Sequence, residues 1–482
     1  MKAMKNYIWM AALALTAATL TACSNEEEAI VEENAQQDRV VTLVTTLSPM
    51  SGVTTRTTAT ETSGALALRW EVDDKVWVSY TNTSETSVEA QGTVTAVDGS
   101  GNATISVDLT NPKNGNSTIN FGFPYNFFHT GLNPHTGQIG TLADIVANYA
   151  ASRGSGTLNV TGGTATLPTG VTMTPLMCIW KLSFTDGMND ITSSITSLTV
   201  RLGASDNYVI TPSTLGNIYV ALYGDSDPRN VSIKATTASN LYIKAKSDIT
   251  LDAGKMYTTT NLALVQAELG KLIAADGNIY NNVAAATAAG TTASGIIAYL
   301  GTAGSVDASS STYMGLAISL TDAGNCAWYT EDSGSCLSQI NDIATALSHK
   351  DGIANTNALT SDGHTHAAAT AARNYSTARP SGVSAWFLPS VGQWNLICQG
   401  LATKKAGTTV STDLNLGKNN IYGYGNLSDV ITAAGGTELA NGYYWLNTEF
   451  NNINAWIYHG LEGKASWNNK HYGYYVRPVF AF

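Results

Sequence analysis

Polar and apolar residues alternate along most of the first half of the chain. In VVTLVTTL, residues 40–47, Val41, Leu43, Thr45 and Leu47 share one side and β-formers fill the other, which predicts a strand with one buried face. LALRWEV (66–72) alternates Leu66, Leu68, Trp70 and Val72. After Asp73-Asp74-Lys75, VWVSY (76–80) alternates again, so the pair predicts a hairpin. The same reading places strands at ATISVDL (103–109), TINFGFPY (118–125), TLNV (157–160), TATL (164–167), PLMCIWKLSF (175–184), ITSLTVRL (195–202), VSIKA (231–235) and LYIKAK (241–246). Short strands parted by Gly, Asn and Ser turns predict β-sandwich structure, as two stacked sandwiches over residues 40–264.

The pattern changes near residue 265. VQAELGKLIAADGNIY begins a stretch of Ala-rich helical segments, turns and aromatics. HTHAAATAARNY (364–375) predicts a helix after an Asp-Gly turn, and VGQWNLICQGLA (391–402) predicts another, with Ser390 as its N-cap. Strands follow at YYWLNTEF, NAWIYHG and YYVRPVFAF. Six tryptophans lie beyond residue 265: Trp328, Trp386, Trp394, Trp445, Trp456 and Trp467. The expected fold class is therefore mostly β, with residues 265–482 forming a separate α+β domain.

Residues 1–39 follow another logic. Lys2 and Lys5 precede a 15-residue apolar run, Ile8–Ala22, too short to span a bilayer as a permanent helix and suited to a secretory signal peptide. Leu20-Thr21-Ala22-Cys23 resembles the lipobox of bacterial lipoproteins, which implies cleavage after residue 22 and lipidation of Cys23. Two or three acyl chains anchor a protein stably where one is marginal. Glu26, Glu27 and Glu28 then open an acidic tether, residues 23–39. Such a run directly after the cysteine resembles the signal that carries some Gram-negative lipoproteins to the outer face of the outer membrane.

Composition narrows the function. The net charge of −11 gives no basic footprint for nucleic acid. With 44% hydrophobic and 13% charged residues the chain is not of disordered type. Four cysteines beyond Cys23 are too few for a disulfide scaffold; Cys326 and Cys336, ten residues apart, either form a local bridge or remain semi-buried thiols. Cys178 and Cys398 read as core. His364 and His366, with Asp362, lack further ligands at zinc spacing, so neither metal nor cofactor is expected. No nucleophile elbow and no phosphate cradle occurs, which argues against an enzyme.

The lipobox, VVTLVTTL, the arginine in TTRTT, LRWEVDDKVWV, PLMCIWKLSF and LDAGKMYTTTNLAL occur in an order that resembles the fimbrillin family, the subunits of type V pili. The resemblance implies export as a lipoprotein and cleavage after an arginine by a trypsin-like protease. Loss of the first strand then opens a groove filled by a strand of the next subunit. Arg56, in the polar loop SGVTTRTTAT, is the expected cleavage residue, making residues 40–56 the removable strand; a cut at Arg39 would empty no groove.

Residues 385–397 (AWFLPSVGQWNLI), 442–459 (GYYWLNTEFNNINAWIYH) and 474–482 (YYVRPVFAF) resemble C-type-lectin-like domains at the ends of bacterial surface proteins. SWNN (466–469) is similar to the Trp-Asn-Asp signature of calcium-dependent lectins, but Asn469 replaces the aspartate and no Glu-Pro-Asn or Gln-Pro-Asp occurs. Trp445, Trp456 and Trp467 read first as core and second as a sugar-stacking face. The candidate contact residues are Trp445, Asn447, Asn451, Asn452, Trp467, Asn468 and Asn469, in loops 447–454 and 462–471. The expected function is a tip or accessory subunit of a surface pilus with an adhesive C-terminal domain. Its partners would be other pilus subunits and a surface glycan or protein. The alternative is a non-polymerising surface lipoprotein that binds glycan or protein. VRPVFAF is expected inside the C-terminal domain, making it a poor donor strand.

Overall fold

The computed structural model describes residues 38–49, 69–213, 216–331, 336–402, 424–460 and 464–482. Cys23, Arg56, Leu66, Leu68 and the acidic run lie outside the described residues. Val40–Phe482 form one compact unit. No helix among the described residues is long and apolar enough to cross a membrane.

The first sheet holds β1 (Val40–Leu47), β2 (Lys75–Thr81), β3 (Ser87–Val97), β4 (Ala103–Thr110), β5 (Gly115–Phe123), β6 (Ser152–Thr161) and β7 (Thr164–Thr166), in the order β1-β4-β3-β2-β5-β6-β7, with Thr174–Pro175 pairing β6. The alternation predicted for β1 is realised: Val41, Leu43, Thr45 and Leu47 are buried while Val40, Thr42, Val44 and Thr46 face out. Val41, Leu43 and Leu47 join Val76, Val78, Ile105, Val107, Phe121 and Leu158 in one apolar core.

The expected 66–80 hairpin is not formed by its described residues. Arg69–Asp74 is coil and turn, because Asp73 takes a positive φ of 74° and the Asp74 carboxylate accepts the Glu71 N–H at 2.9 Å. β2 instead makes its hairpin with β3, from Lys75↔Thr93 to Thr81↔Ser87.

Two further sheets enclose a second core. The strands Ser197–Leu202, Asp206–Ile210, Asp225–Thr236, Leu241–Leu251 and Val265–Gln266 form one; Met177–Thr185, Ile218–Tyr223 and Met256–Ala263 form the other. Leu182, Phe184, Val200, Val220, Ile233 and Tyr208 fill the space between them, and Cys178 is buried there as expected.

The C-terminal region carries two five-stranded sheets. One contains Ile279–Tyr280, Leu272–Ala274, Ala293–Leu300, Gly315–Ser319 and Val479–Ala481. The other contains Gly324–Cys326, Tyr474–Val476, Tyr443–Glu449, Asn454–His459 and Lys464–Asn469. The helix Val391–Ala402 matches its predicted limits, and Ser390 Oγ accepts the Gln393 N–H at 3.2 Å as the cap. Val479, Phe480, Ala481 and Phe482 are buried, and Ile318↔Val479 through Leu316↔Ala481 pair in register. Arg477 meets Asp322 at 2.9 Å and donates to Thr437 O at 2.7 Å. A further apolar cluster joins Leu241 and Ile243 of the second sandwich to Ile273, Ile297, Trp386, Phe480 and Phe482.

Candidate functional site

Two places carry the expected chemistry: the edge strand β1 and the last sheet of the C-terminal region. β1 has a single full-length neighbour, pairing antiparallel with β4 from Val40↔Thr110 to Leu47↔Ala103. Among the described residues, its other side is held only near its end. Val171 N donates to Thr46 O and Ser48 N to Val171 O, both at 2.8 Å. Removal of β1 would expose the β4 edge and the sites now filled by Val41, Leu43 and Leu47. Burying these three apolar side chains is worth about 5–9 kcal/mol, taking roughly 1.5–3 kcal/mol each.

In the C-terminal sheet, alternation sends successive residues to opposite faces. Tyr444, Leu446, Trp456, Tyr458 and Ala465 enter one core; Trp445, Ala455, Ile457 and Val476 enter the other. Both faces are thus covered, which corrects part of the expected contact set. Trp445 is 1% exposed, and its Nε1 donates to Cys326 O at 2.9 Å. Asn447 is fully buried and its amide donates to Gly352 O, Thr356 Oγ1 and Leu388 O, so it ties three segments together. Neither presents a surface to a ligand. The expected 462–471 loop is largely the strand Lys464–Asn469, paired from Asn454↔Asn469 to His459↔Lys464.

The remaining candidates divide between places. Trp467 is half-buried and stacks on Phe450 at 4.8 Å. Asn451 shapes the turn by accepting the N–H groups of Ile453 and Asn454 at 2.9 and 2.8 Å. Asn452 is exposed, with its side chain taken by Gln339. Asn469 accepts the His471 N–H at 2.9 Å, while Asn468 points the other way and donates to the Tyr474 hydroxyl at 2.7 Å.

Around Tyr474 the structure assembles an aromatic surface that the sequence reading passed over. His459 and Tyr443 lie 4.5 Å apart, Tyr443 and Tyr474 4.8 Å, and Tyr474 and Tyr472 6.1 Å, with Trp445 packed on Tyr474 at 4.9 Å. Tyr472 is exposed; the others except Trp445 are half-buried. Burial raises the Tyr474 phenol. The signal lies in YYWLNTEF and YYVRPV, whose paired tyrosines place one ring on each face.

Elsewhere in this region Glu449 and Lys470 form a buried ion pair at 2.9 Å. The Glu449 carboxylate also accepts the Cys336 and Leu337 N–H groups at 2.9 and 2.7 Å, and Lys470 lies 5.0 Å from the Trp328 ring centre. Such full satisfaction is what a buried pair requires. Cys326 and Cys336 are thiols with no bridge between them. Cys336, Asp362 and buried His366 bring one ligand atom each within 4.8 Å of one another, a group that could hold a metal ion and that linear spacing concealed. His366 Nε2 lies 2.7 Å from Asp362 Oδ2.

No family model and no curated protein matches the chain. Among solved structures, a fimbrial protein from Bacteroides ovatus is similar at 14% identity and a TM-score of 0.37, covering 92% of this chain and all of the other. A fimbrial assembly protein from Parabacteroides distasonis aligns at 13% identity and TM-score 0.27, over 46% of this chain and 92% of its own. The tip fimbrial protein Mfa3 from Porphyromonas gingivalis aligns at 9% identity and TM-score 0.23, over 44% and 82%. Scores of this size leave the function to be argued from this chain's own residues.

Proposed function

We propose that this chain is a pilus subunit with an adhesive C-terminal region, exported as a lipoprotein on Cys23 and placed at the fibre tip. The observation that carries the reading is β1. It is an edge strand with four inward side chains, joined along its length, among the described residues, only to β4, and followed in sequence by the segment that carries Arg56. Cleavage after Arg56 would free this strand, and the vacated edge fits an incoming strand of alternating pattern. The segment 476–482, by contrast, is buried and paired, so withdrawing it as a donor would unmake the C-terminal core. Adhesion is assigned to the surface around Tyr443, His459, Asn468, Tyr472 and Tyr474, where rings can stack on sugar faces and amides can bond hydroxyls.

Arg56→Ala should keep the chain on the cell and out of fibres, and immunogold label on wild-type fibres should mark one end. Label along the whole shaft would remove the tip assignment. Fibre-free surface label in wild-type cells would favour a non-polymerising lipoprotein.

A further inference from the structure

The outer face of the sheet formed by Ser197–Leu202, Asp206–Ile210 and Asp225–Thr236 is not bare. Loops 312–313 and 381–382 of the C-terminal region close over it and leave a cavity of about 180 Å³. Its floor is half-buried Thr199, Arg201, Ser232 and Lys234; exposed Asn207, Thr312 and Ser381 stand at its mouth. Register explains the convergence, since Thr199↔Lys234 and Arg201↔Ser232 are cross-strand partners on one face.

Two cations therefore share a recess in a protein of net charge −11, and among the described residues no carboxylate forms an ion pair with either. Asp206, the acid that acts on Arg201, is itself bound to Arg229 at 2.8 Å. Arg201 makes one hydrogen bond, from Nε to Gly203 O at 3.3 Å. Lys234 is half-buried by exposure, yet protein encloses its ammonium closely enough that burial, then Arg201, pushes it down to about 8. Enclosed charges in folded proteins are ordinarily paired, and two like charges left together are doubly unfavourable. Arg201 is also held against the wall: a Cβ on Gly382, where φ is +86°, would lie 2.2 Å from Arg201 Nη1. The arrangement sets two cationic groups side by side in one recess, a geometry that suits an anion.

The rest of the lining selects among anions. Hydroxyls of Thr199, Ser232, Thr312 and Ser381 and the amide of Asn207 both donate and accept, which a bare inorganic ion does not need and a sugar ring does. The volume lies below the roughly 300–1,000 Å³ of pockets for drug-sized ligands, and its position between two parts of the fold is a favoured place for small ligands. We propose that this pocket binds an acidic saccharide, seating the sugar's carboxylate or sulfate between Arg201 and Lys234 and its hydroxyls against the threonine, serine and asparagine rim.

This pocket shares no lining residue with the surface around Tyr474 and is a second site; the inference rests on the adhesive reading only for the choice of a sugar. The two fail separately, because Lys234→Gln leaves Arg56 and β1 intact. Titration calorimetry on the full chain would compare glucuronate, glucose 6-sulfate, glucose, inorganic sulfate and a glutamate-rich peptide. One of the acidic sugars should bind at least tenfold more tightly than glucose and inorganic sulfate; which one tells carboxylate from sulfate. Lys234→Gln and Arg201→Gln should each weaken it at least tenfold with circular dichroism unchanged. Arg201→Lys should retain most of the affinity, and Lys113→Gln on the first sheet should change nothing. Equal binding of glucose, or no effect of Lys234→Gln, overturns the site. Inorganic sulfate binding as tightly as the sugars, or the peptide in their place, overturns the saccharide assignment.

Discussion

Lys234 and Lys470 are both enclosed lysines, but their surroundings differ and so do the tests they support. Around Lys234 stand Arg201 on the adjacent strand and Tyr313 from the covering loops, while Asp206, which acts on Arg201, is paired with Arg229. Lys244 lies on the next strand, where it is half-buried. With a folded value of about 8 against 10.5 unfolded, the unfolded chain binds more protons between those pH values. Stability should therefore rise with pH across that window, as the folded ammonium loses a charge it holds unfavourably. Lys234→Gln should flatten that rise, which urea unfolding at pH 8 and pH 10 would show. At Lys470 the charge is matched. Lys470→Met strands the Glu449 carboxylate in the interior and should cost about 3–5 kcal/mol, while Glu449→Gln with Lys470→Met should cost much less. Urea midpoints of the two variants measure the difference.

At the scale of elements, β1 shows what a sequence can state outright. Alternation assigned every one of its eight residues to the correct face, because a strand at a sheet edge with one wet side has no other way to satisfy both surfaces. Leu43→Ala should cost about 2–5 kcal/mol, whereas Val44→Thr on the exposed face should stay within about 0.5 kcal/mol. The last sheet was less legible. Its strands were found, but both faces are buried, so alternation could not say which side met water. Asn447, expected at a contact, therefore proves to hold its amide as an internal tie. The Cys336–Asp362–His366 group and the Arg201–Lys234 recess were hidden for a related reason. Their members come from distant segments, and only the folded chain shows the spacing. The hairpin at 66–80 failed because two adjacent aspartates suggested a turn between strands, while Asp74 serves to cap the chain before β2 begins.

At the scale of the whole molecule the question is how separate the two regions are. Composition changes near residue 265, and we propose that residues 265–482 fold as a unit, because the strand Val479–Ala481, the helix Val391–Ala402 and the last sheet share cores that need nothing earlier in the chain. One cluster crosses that boundary, however. Leu241 and Ile243 pack with Ile273, Trp386 and Phe480, and Val265 pairs with Ile243 in the sheet of the second sandwich. A fragment cut at 265 would leave those apolar side chains uncovered and would open the wall that Gly382 forms beside Arg201. It should still fold, yet unfold at a lower temperature than the same region in the full chain, by roughly the 2–5 kcal/mol that losing one large buried contact costs. Ile243→Ala in the full chain should reproduce much of that shift without any cut. Circular dichroism of the fragment, with thermal melts of fragment, variant and full chain, decides the matter. An unfolded fragment would place the boundary elsewhere, and a melt equal to that of the full chain would mean that the shared cluster contributes nothing.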